Sequence, residues 1–173
     1  MLWNLIGFFK SSPKSQRKYK QDVIPGTTLT YDAMLVRQLH EDHKELLGLY
    51  GDIKQYLDKK DYHQVQIHLK EFSSLLREHL LLENLKLYVY LSNALACDQE
   101  NLEIMIEMRK EMGRIGKTVN QFLTRYTQEK PWTIAEKIAF SIAFQQIGTV
   151  LSQRITKEEE RLYPLYMPPS HYF

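Results

Sequence analysis

Residues 105–126 read MIEMRKEMGRIGKTVNQFLTRY. Within them Met105, Met108, Met112, Ile115, Val119, Phe122 and Tyr126 recur at alternating steps of three and four. That spacing draws one apolar stripe along a helix of 3.6 residues per turn. Pro131 ends the pattern downstream, and Asp98 stands before its start as a candidate N-cap. Three more stretches carry the same period. The first, 31–58, repeats Leu39, Leu46 and Ile53 at sevens, beside Val36, His43, Tyr50 and Leu57. The second, 62–95, follows the break DKKD, with Asp61 as its cap and Phe72, Leu75, His79 and Leu82 on one face. The fourth opens at Thr133 and Glu136, a T-x-x-E capping box, and reaches 163 with Phe144, Ile147, Leu151, Ile155, Glu158 and Leu162 near one face. Four long helices with short links predict an all-α fold, an up-down-up-down antiparallel four-helix bundle. The domain plan is an N-terminal arm (1–30), the bundle (31–166) and a C-terminal tail (167–173).

Bulk properties narrow the function. The chain has 173 residues, enough for one domain with a substantial core. Its net charge is +2, so no general attraction to nucleic acid follows. Gly (7) and Pro (6) are too scarce for a turn-rich β fold. The single cysteine, Cys97, rules out an internal disulfide and fits a cytoplasmic protein; we read it as an inert thiol. No window approaches the roughly 20 apolar residues that span a bilayer. The start, MLWNLIGFF, precedes basic residues rather than following them, unlike a signal peptide. Trp3, Phe8 and Phe9 could dip into a membrane surface, but the reading preferred is an arm folded onto the domain. The Lys10–Lys20 run reads as a solvated arm, having little aromatic interleaving beyond Tyr19.

Bundles build sites from inward side chains on facing helices. In LLREHLLLE (75–83), His79 and Glu83 are i and i+4 and share a face. Imidazole with carboxylate suits iron, manganese or zinc. On the first helix His43 falls within the core stripe, with His40 three residues before it. On the fourth, Glu158 lies four after Arg154 and seven after Leu151, so it too can face inward. His63 and His68 read as solvent-facing or core-edge residues, and the methionines 105, 108 and 112 as core filler. Tyr88, Tyr90, Tyr163 and Tyr166 lie near helix ends, where amphipathic rings serve bundle ends and interfaces alike. No nucleophile–base pair and no phosphate-cradling glycine loop stands out, so no catalytic residue is assigned and a non-enzymatic role is expected.

The segments EDHKELL (41–47), LLREHLLLE (75–83) and ITKEEERLYPLY (155–166) resemble the signatures of hemerythrin-like, or HHE, domains. The resemblance implies a four-helix bundle whose core holds a non-haem di-iron centre, with roles in oxygen binding, iron, oxygen or nitric-oxide sensing, and repair. It places the family's metal ligands at His43, His79, Glu83 and Glu158. Two positions depart from it. Arg154 stands where a histidine is expected, and Met112 stands where the third helix would supply another. No histidine occurs between 80 and 170. Four ligands remain, fewer than a two-metal centre needs. A guanidinium stays protonated and repels a divalent cation, and a thioether is a poor ligand for a hard iron ion. The expectation is therefore a metal-free polar cluster with no cofactor, in which Arg154 and Met112 replace metal ligands. One cation, iron foremost, on His43, His79, Glu83 and Glu158 is the alternative.

The stretch FQQIGTVLSQRITKEEERLYPL (144–165) also resembles the Rsd/AlgQ regulators, which bind the principal sigma factor of RNA polymerase. That resemblance accounts for the arginine and implies a bacterial binding module with a protein partner, a sigma factor among the candidates. Two functions are carried forward: a regulatory or interaction protein with a lapsed metal site, and a metal-dependent sensor or carrier.

Overall fold

The computed structural model describes residues 22–128 and 130–173. Among them, α1 spans Leu35–Asp58 and α2 spans Tyr62–Leu82. A single π-helical turn, Glu83–Leu87, joins α2 to α3, Tyr88–Ala94, so that these three make one long helix. Then come α4, Gln99–Tyr126, and α5, Ile134–Lys157, which runs into a second π turn, Glu158–Leu162. Short 3₁₀ turns at Tyr163–Leu165 and Pro169–His171 finish the chain. Four long helices packed side by side make an all-α four-helix bundle, and α5 also packs on α1.

The helix starts have local causes. The Asp61 carboxylate accepts from Gln64 N–H, and that of Asp98 from Asn101 N–H, both at 3.2 Å. Thr133 and Glu136 form the reciprocal capping box. The first helix starts at Leu35, later than the expected boundary at 31, because the preceding residues are pinned elsewhere. The Asp32 N–H donates to the Tyr166 hydroxyl at 2.9 Å, and Tyr31 stacks on the Tyr166 ring. Upstream, Pro25 and Gly26 turn the chain, with Gly26 at φ 75° and Thr27 N–H bonded to Ile24 carbonyl. The turn buries Ile24 against the bundle, so part of the arm belongs to the core. The expectations for Trp3, Phe8, Phe9 and the Lys10–Lys20 run lie outside the described residues.

The core is divided. One apolar cluster contains Leu46, Ile53, Leu76, Val119, Phe122 and Leu151. The other contains Leu39, Leu87, Tyr88, Met105, Met108 and Leu162. Each long helix crosses from one cluster to the other at one place: His43 between Leu39 and Leu46, His79 and Glu83 between Leu76 and Leu87, Met112 between Met108 and Val119, Arg154 and Glu158 between Leu151 and Leu162. The polar residues therefore form a layer across the bundle with apolar packing above and below it.

Candidate metal centre

Five charged or titratable side chains fill that layer, and water scarcely reaches them: His43 is 1% exposed, His79 3%, Glu83 1%, Arg154 2% and Glu158 2%. Helical periodicity brings each one inward, since each sits on the apolar stripe of its own helix. The π turns then set the two carboxylates. Each turn begins at a glutamate, Glu83 on the second helix and Glu158 on the fourth. A π turn inserts a residue into the helical ladder and is common where a functional side chain needs re-aiming.

His43 Nε2 lies 3.3 Å from Glu158 Oε2. Donor atoms of His43, His79 and Glu158 all fall within 4.8 Å of one another. His79 Nε2 faces Glu83 Oε1 at 3.9 Å. Both imidazoles are backed by a carboxylate on the far side: His43 Nδ1 by Glu159 at 2.9 Å and His79 Nδ1 by Asp42 at 3.4 Å. The carboxylate behind His79 favours the tautomer with its proton on Nδ1 and the Nε2 lone pair facing the centre, whereas His43 has a carboxylate at each nitrogen and can carry its proton on either. The Tyr163 hydroxyl donates to Glu83 Oε1 at 3.1 Å and lies 3.2 Å from His43 Nε2. The second oxygen of Glu83, Oε2, is buried without any hydrogen-bond partner.

Arg154 occupies the other half of the layer. Its Nε donates to Glu158 Oε1 at 2.6 Å, one terminal nitrogen to the Tyr88 hydroxyl at 2.9 Å, and the other to Glu111 Oε2 at 3.2 Å. Lys157 closes the network by donating to Glu111 Oε1 at 2.7 Å. Met112 is buried and lines a cavity of about 30 Å³ together with His43, His79, Arg154 and Glu158.

Proton affinities follow from this packing. Burial and the neighbouring Glu158 push the Glu83 carboxyl up to about 8. Burial drags His43 down, but hydrogen bonds to Glu158 and Glu159 outweigh it, and its net shift is upward. Burial and nearby His43 lower His79. Burial disfavours the charged form of Arg154, yet the attraction of Glu158 and Tyr88 leaves its pKa raised. The Tyr163 hydroxyl is pushed far above its ordinary range by burial and then by Glu83.

The structure thus gathers His43, His79, Glu83, Glu158, Arg154 and Met112 into one layer. Asp42, Glu111 and Glu159 join them without having been singled out from sequence, and Tyr88 and Tyr163, expected only as amphipathic rings near helix ends, join them too. One signal could have found the tyrosines. His79-x₃-Glu83-x₃-Leu87-Tyr88 on the second helix is echoed by Arg154-x₃-Glu158-x₃-Leu162-Tyr163 on the fourth. Each tyrosine reaches across the bundle, Tyr88 to Arg154 and Tyr163 to Glu83.

The residues suit one cation. Two buried imidazoles, two carboxylates and an unpartnered carboxylate oxygen form a cation's surroundings. They do not suit two, because the guanidinium of Arg154 stands against Glu158 where a second cation would need donors. No curated protein and no solved structure matches the chain. A protein-family comparison does match: the description Hemerythrin HHE cation binding domain fits residues 34–166, from the start of α1 through the last buried tyrosine. The chain belongs to the hemerythrin HHE cation-binding domain family.

Proposed function

We propose that this chain binds a single divalent cation, ferrous iron foremost, with His43, His79, Glu83 and Glu158, and serves as a metal-dependent sensor or carrier rather than as an enzyme. The observation that carries the reading is the orphaned Oε2 of Glu83, whose other oxygen lies 3.9 Å from His79 Nε2 in a layer where both imidazoles are backed by a carboxylate. An unpaired buried carboxylate oxygen is costly, and a cation removes the cost. A bound iron ion would supply a redox couple and a Lewis-acid centre. The protein's part is to hold the His79 imidazole in the productive tautomer, keep water out between two apolar clusters, and cap the charge of Glu158 with Arg154. Arg154 then stands as a fixed +1 charge in the place of a second metal.

Metal analysis tests this. The chain, incubated anaerobically with ferrous iron and desalted, should retain one iron, and His43→Ala, which removes a central ligand, should lose it. Wild-type protein that retains no iron, zinc or manganese under these conditions would sink the proposal. A second reading rests on a different observation. Arg154 already gives three acceptors a cationic partner, so the layer can persist without metal. In that reading the bundle is an interaction module, and the exposed Ile134, Ile138 and Ile142, four apart along α5, form its contact face. Association with a protein partner that is indifferent to chelator and to His79→Ala is its distinguishing result.

A further inference from the structure

His43 has two ring nitrogens, and the buried centre uses only one. Its Nδ1 faces outward, 2.9 Å from Glu159 Oε1. The same oxygen lies 3.1 Å from His40 Nδ1. Donor atoms of the three residues fall within 4.8 Å of one another. Around a tetrahedral ion with bonds of about 2.0 Å, neighbouring ligand atoms sit about 3.3 Å apart. The Glu159 oxygen already stands near that separation from both imidazoles. His40 and His43 are i and i+3, so one helical turn presents both rings to the same side. The His40 ring is also held edge-on against Tyr163, with ring centres 5.3 Å apart. Unlike the buried layer, this trio meets solvent: the His40 side chain is 37% exposed and that of Glu159 35%.

We propose that His40, His43 and Glu159 form a second, half-exposed site for a borderline divalent metal such as zinc, cobalt or nickel, and that it and the buried site are filled one at a time. Two imidazoles and a single carboxylate select such ions over calcium or magnesium. Three protein ligands leave a position for water, as an open site does. The exclusivity comes from His43. A neutral imidazole has one lone pair and one N–H. An ion on Nδ1 puts the proton on Nε2, where Glu158 Oε2 at 3.3 Å accepts it. An ion in the buried layer takes the Nε2 lone pair, and the proton returns to Nδ1 and Glu159. One ring thus serves either site but not both, and the outer trio gives an ion a solvent-facing station on the way to the buried centre.

Zinc binding by the full chain tests this, with calorimetry and metal analysis as readouts. His79→Ala disables the buried centre and leaves the outer trio whole, so it should still take one zinc. Adding His40→Ala to it should abolish that binding. Wild-type protein should take one zinc rather than two, and long-range ¹H–¹⁵N spectra should place the His43 proton on Nε2 in zinc-loaded His79→Ala. A folded His79→Ala that binds no zinc, or a double variant that binds as the single one does, overturns the outer site. Two zinc ions per wild-type chain overturn the exclusivity. If His79→Ala does not fold, His79→Leu, which likewise removes a buried donor, takes its place with the same expectations. The buried-centre reading fails separately, through a folded His40→Ala that retains no metal.

Discussion

Arg154 decides how much positive charge the layer still lacks. Burial and the charge of Glu158 push the Glu83 carboxyl up to about 8, and Arg154, paired with Glu158, offsets only part of that rise. The sign of the resulting pH dependence is fixed. An unfolded Glu titrates at 4.5, so the folded chain holds this proton over a wider range. The stabilisation is complete below 4.5 and is lost as pH rises toward 8. Each pKa unit is worth at most about 1.4 kcal/mol. In chelator, wild-type protein should therefore lose urea resistance between about pH 5 and pH 8 by more than Glu83→Gln does. Equal slopes would show that Glu83 stays ionised throughout. Metal binding should run the other way and tighten as pH rises over the same interval, because the ion must displace that proton. Arg154→Gln tests the opposite charge. It leaves Glu158 buried without a cation, and breaking a buried pair costs about 3–5 kcal/mol. Added zinc or ferrous iron should recover much of that loss, since the ion then faces two uncompensated carboxylates instead of one. Denaturation midpoints with and without metal measure this, and an equal deficit in both conditions would refute it.

At the level of the elements, the four helices were legible in sequence because each writes its buried face at steps of three and four, as Met105 through Tyr126 does without a gap. The caps Asp61, Asp98 and Thr133 were legible too, because capping is a local hydrogen bond between residues three apart. His43, His79 and Glu158 were visible as polar letters within apolar stripes. Asp42, Glu111 and Glu159 were not, because they act on residues of another helix, and register between helices leaves no periodic mark. The π turns at Glu83 and Glu158 were equally silent, since one inserted residue barely disturbs the pattern. Gly148 is a further case. A helical glycine reads as a weak point, yet here the Tyr50 ring lies on it, and a Cβ would collide with the ring. Tyr50 is itself fixed by stacking on Phe144 at 4.3 Å. Gly148→Ala should therefore destabilise the bundle by about 1–3 kcal/mol, against the usual gain for Gly→Ala in a helix. Tyr50→Leu should relieve most of that loss, and a double-mutant cycle reads the coupling directly. Additive effects would place the Tyr50 ring elsewhere.

Across the whole molecule, the layer lies between two apolar clusters with no side chain in common, so it governs how firmly the two halves are joined. Apolar burial secures each half, but the junction depends on polar groups that are only partly satisfied. A cation gripping His43 on α1, His79 and Glu83 on the second long helix, and Glu158 at the end of the fourth would tie three helices at that junction. Because such a site exists only in the folded chain, binding free energy becomes folding free energy. Metal at a hundredfold excess over its dissociation constant should stabilise the fold by about 2.7 kcal/mol. The gain should not be spread evenly. Amide hydrogen exchange should slow most in the π turns Glu83–Leu87 and Glu158–Leu162 and in the turns of α1 around His43, where the ligands sit. The Phe122–Trp132–Phe140 packing lies wholly within the other cluster and should show only the global change. Protection that rises uniformly along all four helices would mean that the ion binds without bracing the junction, and the layer would then be a passive seam between two independently packed halves.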